Sequence, residues 1–144
     1  MGKALVVYAS RTGQTQNIAD LIAEGVRFSG ATAEVVNVNQ IKKGQDLEGF
    51  DAYVFGSATY HGDMMQPMKQ LLFLCEKVSL EGKAGGAFGA YGWSGEAPDR
   101  IYATMKNIFS MDMVNTPLML KSSLLQGAMQ AAQDYGRAVG KKIA

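Results

Sequence analysis

Apolar and polar positions along this chain switch between two periods. Short apolar runs, KALVVYA (3–9), AEVVNV (33–38), DAYVFGS (51–57), AGGAFGAY (84–91) and MVNTPLML (113–120), have the length and continuity of buried strands. Between them, apolar residues recur at helical spacing. Ile18, Leu21, Ile22, Gly25 and Val26 fall at i, i+3, i+4, i+7 and i+8. Met68, Leu71, Leu72 and Cys75 form a second stripe, and Ile101, Met105, Ile108 and Phe109 a third. Leu125, Ala128, Met129, Ala132, Tyr135 and Val139 share a face near the C-terminus. Each stripe must be buried against something. Strands alternating with helices of this length predict right-handed crossovers and an α/β fold, its parallel sheet covered on both faces. The polar segment 39–50 holds at most a short helix. Pro117 cannot donate to a ladder, so the last strand is expected at an edge or with a bulge.

Composition narrows the class. The chain has 144 residues, 47% hydrophobic and 19% charged, which fits one domain over 1–144 with its own core. Fourteen basic residues against thirteen acidic leave a formal charge of +1, with no basic stripe for nucleic acid. One cysteine, Cys75, excludes an internal disulfide, and one histidine, His61, argues against a multi-ligand metal site. No run approaches the roughly 18 apolar residues of a membrane helix. The first apolar run leads straight into a turn, unlike a signal peptide. A reducing, cytoplasmic setting is the expectation.

Open parallel sheets bind ligands beyond the carboxyl ends of their strands, where strand order reverses. Three loops there carry unusual residues. The first is ASRTGQT (9–15). A helix N-terminus presents unpaired N–H groups and a partial positive charge. Ser10, Thr12 and Thr15 add hydroxyls, Gly13 permits a positive φ, and no carboxylate intervenes. That suits a phosphate. Without a lysine it does not suit a nucleoside triphosphate, and no G-x-G-x-x-G is present. Plain N-capping by Thr12 or Thr15 is the competing explanation.

The second loop, GSATYHGDMMQP (56–67), puts Tyr60 and His61 before a flexible Gly62. Tyr60 faces a flat ring or covers the core edge; His61 is solvated or tunes a ligand by hydrogen bonding. The third, GAYGWSGEAPDR (89–100), sets the only tryptophan, Trp93, between Gly92 and Gly95. That placement suits a stacking surface, against packing at a rim. Ser94, Glu96 and Pro98 then open a helix. A phosphate nest beside two aromatic loops describes a flat, monophosphorylated heteroaromatic, and flavin mononucleotide (FMN) fits.

Ser10-Arg11-Thr12-Gly13-Gln14-Thr15 resembles the phosphate loop of flavodoxins. The order and length of the segments resemble a short-chain flavodoxin across nearly the whole chain. The other two loops resemble the flavodoxin-like domain of flavodiiron proteins, where Ser-x-Thr and Gly-Trp-Ser-Gly-Glu-Ala contact FMN. The iron domain of that family is absent from these residues, and one histidine cannot rebuild it. The resemblance implies a three-layer sandwich with a five-stranded parallel sheet of order 2-1-3-4-5, and an electron carrier. It assigns phosphate binding to Ser10, Thr12, Gly13, Gln14 and Thr15, with Arg11 contributing backbone N–H. Ala58, Thr59, Tyr60, His61 and Gly62 line one side of the ring, and Ala90, Tyr91, Gly92, Trp93, Ser94 and Gly95 the other. No catalytic residue and no metal ligand is expected.

The expected function is a low-potential shuttle of single electrons between a reductase and an acceptor protein, as a monomer. The alternative is a small FMN-dependent NAD(P)H oxidoreductase, for which 144 residues leave little room beyond the flavin face. Flavodoxins are usually strongly acidic, and this chain is not. Arg11 and His61, opposed by Asp63, Glu96 and Asp99, predict a second reduction potential less negative than an acidic flavodoxin's. Weak steering charge turns attention to an apolar docking patch, with Met64, Met65 and Met68 as candidates, although Met68 also fits a helix core.

Overall fold

The apolar runs become the strands of a parallel sheet in the computed structural model, which describes residues 2–10, 13–60, 63–90, 96–120 and 127–144, with only the backbone of Tyr60. Strand β1 (Lys3–Ala9) leads into helix α1 (Gln14–Phe28) and then β2 (Thr32–Asn37). Two 3-10 turns, Val38–Gln40 and Gly44–Leu47, occupy the polar stretch that was expected to hold little helix. After β3 (Ala52–Ser57) comes a small hairpin of β4 (Thr59–Tyr60) and β5 (Asp63–Met64), then α2 (Gln66–Cys75). The chain continues through β6 (Ala84–Ala90), α3 (Glu96–Asn107), β7 (Asp112–Met113), β8 (Leu118–Leu120) and α4 (Ala128–Ile143).

The sheet runs β2-β1-β3-β6-β7, with β8 also on β6, and these pairings are parallel. Counted without the hairpin, that is the expected order 2-1-3-4-5. Successive side chains on a strand point to opposite faces. Leu5, Val7, Tyr53 and Phe55 therefore enter the layer under α2 and α3, with Met68, Leu72, Ile101 and Met105. Val6 and Val54 enter the other layer, with Ile18 and Ile22 of α1 and Tyr135 and Val139 of α4. Continuous apolar runs are needed because both faces are covered.

Helices α1 and α4 touch through glycines. A Cβ at Gly25 would sit 1.9 Å from the Gln133 carbonyl oxygen, and one at Gly136 would sit 1.9 Å from that of Ile22. Glycine inside a helix costs about 1 kcal/mol against alanine. Here it lets two backbones meet where any side chain would hold them apart.

The last predicted strand is interrupted. Val114 N–H still bonds the Gly85 carbonyl, but the ladder resumes only at Leu118, after Pro117. The Ala87 N–H falls in that gap, and the Tyr135 hydroxyl accepts it at 3.1 Å. Burial pushes the Tyr135 phenol far above its ordinary value, so it stays neutral in this role. Pro117 thus marks both an edge and a break.

Ile108, Met129, Met64 and Met65 depart from what their apolar pattern predicts. Helix α3 ends at Asn107, so Ile108 lies beyond the stripe and is exposed, with Phe109 half-buried. Met129 is exposed in the first turn of α4. Met64 is buried and Met65 half-buried, because β5 and the start of α2 turn them toward the core, so they form no docking patch; Met68 is buried as part of the α2 core stripe, the reading its spacing also allows. Leu125 lies outside the described residues. Cys75 completes its stripe in the core, where burial pushes its thiol up to about 12.

Candidate functional site

The carboxyl ends of β1, β3 and β6 lie side by side, Ala9 opposite Ser57 and Gly56 opposite Phe88. The chain leaves β1 toward β2 on one side and returns to β3 on the other, so the end of β1 is where strand order reverses. Ala58 N–H donates to the Ala9 carbonyl at 3.3 Å and joins the first two loops.

The first loop is shaped by its glycine. Gly13 has φ +88° and is the N-cap of α1, with no side chain capping the helix among the described residues. Ser10 Oγ accepts the Gly13 N–H at 2.9 Å, closing the turn on itself. Thr15 is buried in the first turn of α1 rather than capping it. Plain capping by Thr15 therefore does not explain the hydroxyl, and Thr12 and Arg11 lie outside the described residues. No acidic residue occupies the first turn. The Gln14 side-chain oxygen is buried with no hydrogen-bond partner among the described residues. A half-turn of that amide places an N–H donor at the same point. An uncapped, acid-free helix mouth with a buried amide to satisfy fits an anion such as a phosphate ester.

The mouth of α3 contrasts with it. Glu96 and Asp99 stand in its first turn, and Thr59 Oγ1 accepts the Ala97 N–H at 3.1 Å. Two carboxylates repel an anion, and one of the free amides is already used. Helix α4 also starts on a positive-φ glycine, Gly127, but it follows the edge strand β8, away from the reversal point.

The second loop is the hairpin β4–β5. Thr59 pairs with Met64 and Tyr60 with Asp63, so Thr59 and Tyr60 stand on one arm; His61 and Gly62 lie outside the described residues. Three polar side chains, Ser57, Thr59 and Asp63, hold it through contacts that the sequence does not reveal. Ser57, fully buried, donates to the Ala58 carbonyl at 2.9 Å and accepts the Met65 N–H at 3.0 Å. Thr59 reaches α3, as above. Asp63 meets Lys69 of α2 at 2.7 Å and Arg100 of α3 at 3.9 Å. The Lys69 hydrogen bond, with smaller help from the Met64 amide and Arg100, holds the Asp63 carboxyl below its ordinary value. A hydroxyl ending the apolar run at Ser57 was a usable signal. The meeting of Asp63 with Arg100 had none, because only the fold brings them together.

Of the third loop, Ala90 is half-buried and pairs with Leu120 of β8. Tyr91, Gly92, Trp93, Ser94 and Gly95 lie outside the described residues. The structure thus brings together Ser10, Gly13, Gln14, Thr15, Ala58, Thr59 and Ala90 at one end of the sheet. Among the described residues no group of acidic, cysteine or histidine side chains could hold a metal ion, and no helix is long and apolar enough to cross a membrane.

Comparison with known proteins agrees with this geometry. The chain is 29% identical over 144 residues to the putative diflavin flavoprotein A 6 of Nostoc sp., covering 94% of this chain and 25% of that protein. It spans about a quarter of the length of the diflavin flavoproteins it matches. A solved flavodoxin from the domain Archaea superposes with a TM-score of 0.91 at 30% identity, covering 97% of each chain. The flavodiiron protein from Giardia intestinalis superposes with a TM-score of 0.89 over 97% of this chain and 36% of that one; at 24% identity this shows a shared fold. Residues 5–121 match the family model of the flavodoxin domain. With the sheet order, the helix mouth at the reversal point and that match in agreement, the chain belongs to the flavodoxin family and binds FMN.

Proposed function

We propose that residues 1–144 form one FMN-binding unit that carries single electrons at low potential between a reductase and an acceptor protein in the cytoplasm, acting as a monomer. The observation that supports this most is the mouth of α1. It has a glycine cap at φ +88°, no capping side chain and no acidic residue in the first turn, at the point where strand order reverses. Ser10, Gly13, Gln14 and Thr15, with Arg11 and Thr12, are assigned to the phosphate. Ala58, Thr59, Tyr60, His61 and Gly62 are assigned to one side of the ring system. Ala90, Tyr91, Gly92, Trp93, Ser94 and Gly95 are assigned to the other. Bound FMN supplies the redox chemistry, taking and returning electrons one at a time. The chain's own work is to anchor the ester, keep water off the ring and set the charge beside it.

That charge is small. The chain carries a formal +1, and Asp63 is tied to Lys69 and Arg100 rather than presenting free negative charge. The charge these residues set beside the ring would oppose added negative charge on a bound flavin only weakly, so the second potential would lie above that of a strongly acidic flavodoxin.

Titration of FMN and riboflavin into the apoprotein tests the anchor. Thr12→Asp should weaken FMN far more than riboflavin, since only the ester meets the new charge; equal losses remove the phosphate assignment. Spectra during stepwise anaerobic reduction report both potentials. A second potential equal to or below that of an acidic flavodoxin overturns the charge argument. Rapid bleaching by NADH or NADPH without any added reductase would favour an oxidoreductase instead.

A further inference from the structure

We propose a second binding site on this chain, a preformed cleft between the loop after β2 and helix α2 that takes a compact organic acid, a carboxylate on an apolar body. It stands apart from the flavin reading: none of the residues assigned to FMN is among the described residues that line it. The cleft has a volume of about 300 Å³. Val38 and Ile41 form one apolar wall, and Leu71 and Leu74 of α2 the other. Asn39, Lys42 and Gln70 stand exposed around them. An apolar hollow with a few convergent polar groups is the usual form of a small-molecule site.

The wall opposite α2 belongs to the polar stretch 39–50, to which no flavin contact is assigned. Its polar groups divide into two sets. One set fixes the shape of the loop. The Asn37 side chain accepts the Asn39 N–H at 2.9 Å, and the Gln40 side chain accepts the Asn37 N–H at 2.8 Å. Asp46 Oδ2 accepts the Lys42 and Lys43 amides at 2.8 and 3.2 Å. The Lys42 amide, with smaller help from that of Lys43, holds the Asp46 carboxyl below its ordinary value, so this clamp persists at neutral pH. A loop ordered in advance spares a ligand part of the entropic cost of binding.

The other set is unengaged. Among the described residues the Lys42 ammonium has no ion pair, and the side-chain amides of Asn39 and Gln70 have no hydrogen bond. Lys42 is the one charged side chain among the described residues that line the cleft, and Asp46, bound to its backbone, is not in that lining. The first turn of α2 adds the same sign, with no acidic residue in it. One cation matches one negative charge. An apolar floor disfavours a heavily hydrated dianion, so a carboxylate suits the cleft better than a phosphate. The carboxylate gains a charge-assisted hydrogen bond from Lys42, Asn39 and Gln70 meet its remaining polar atoms, and its body covers Leu71 and Leu74.

The test titrates phenylacetate into the nitrogen-labelled, FMN-loaded full chain and follows its amide signals by NMR. Phenylacetamide serves as the neutral counterpart, and a repeat on the apoprotein keeps the result independent of FMN. Phenylacetate should shift the side-chain amides of Asn39 and Gln70, with a Kd below about 1 mM. Phenylacetamide should bind about threefold to tenfold more weakly. Lys42→Met should reduce phenylacetate to the level of the amide and leave the amide unchanged, while Lys42→Arg should retain phenylacetate. Gln70→Trp, which brings an indole to the cleft, should abolish both. Positions 42 and 70 are exposed, so the fold should survive these changes. Equal affinity for phenylacetate and phenylacetamide overturns the proposal, as does phenylacetate binding indifferent to Lys42→Met. Absence of shifts at Asn39 and Gln70 up to about 10 mM also overturns it. So does displacement of FMN, which would put the probe in the flavin site.

Discussion

The two faces of the sheet are built by different means. Between α1 and α4 the contact is backbone on backbone, above a layer of side chains that faces the sheet. Gly25 and Gly136 leave no room for a Cβ, and a Cβ at Gly140 would lie 1.8 Å from Ser29 Oγ. Under α2 and α3 the contacts run through side chains, and the outer surface opens into a groove of about 230 Å³ beside Leu72, Phe73 and Ile108. Phe73 is 68% exposed there and Ile108 64%. The first face is a rigid buttress. The second carries the hairpin and the start of α3, where polar bonds of modest strength hold loops in place.

The contrast can be attacked from its strong side first. Gly136→Ala should destabilise the fold by about 3 kcal/mol, since the new methyl group meets the Ile22 carbonyl and the helices must part. Urea denaturation measures it, and a loss below about 1 kcal/mol would show that the crossing has slack. Tyr135→Phe comes next, at about 1–2 kcal/mol by the same measurement, because the buried Ala87 N–H is left without its acceptor.

On the α2–α3 face the effects shrink. Asp63→Asn should cost about half a kcal/mol at neutral pH, a partly exposed pair being weak. The sign of its pH dependence is set by the depressed carboxyl. With the folded value below 3.8, the contribution is complete above that pH and fades as pH falls through the folded value. Stability differences between wild type and Asp63→Asn, followed from pH 7 into acid, should therefore converge; a constant gap would mean the charge plays no part. Smallest of all, Phe73→Ser should change stability by no more than about 0.5 kcal/mol, as a side chain this exposed loses little. A large loss would show that the groove belongs to the packed core.

Much of the architecture was legible in the periods. The runs at 3–9, 51–57 and 84–91 match β1, β3 and β6 to within a residue, because strands buried on both faces must be continuously apolar. The stripe Met68-Leu71-Leu72-Cys75 is buried as a unit. Misreadings cluster where an element stops. Ile108 continues the α3 pattern in sequence, yet the helix ends one residue before it. Met64 and Met65 look like loop residues in the sequence, but the chain makes β5 and the start of α2 there. Of the candidate site, the glycine at positive φ and the acid-free helix start were visible in ASRTGQT, since both are local properties of the backbone.

What the sequence alone determined is therefore whatever depends on near neighbours: strand and helix periods, the special turn at Gly13, and the absence of charge that would repel an ester. Tertiary structure alone decided the contacts between residues far apart along the chain. Thr59 on Ala97, Asp63 between Lys69 and Arg100, and Tyr135 filling the gap beside Pro117 all arise when the sheet stacks its strand ends and brings helices from separate crossovers together. A periodic pattern reports which face of an element is buried. It holds no record of which side chain waits on the other side.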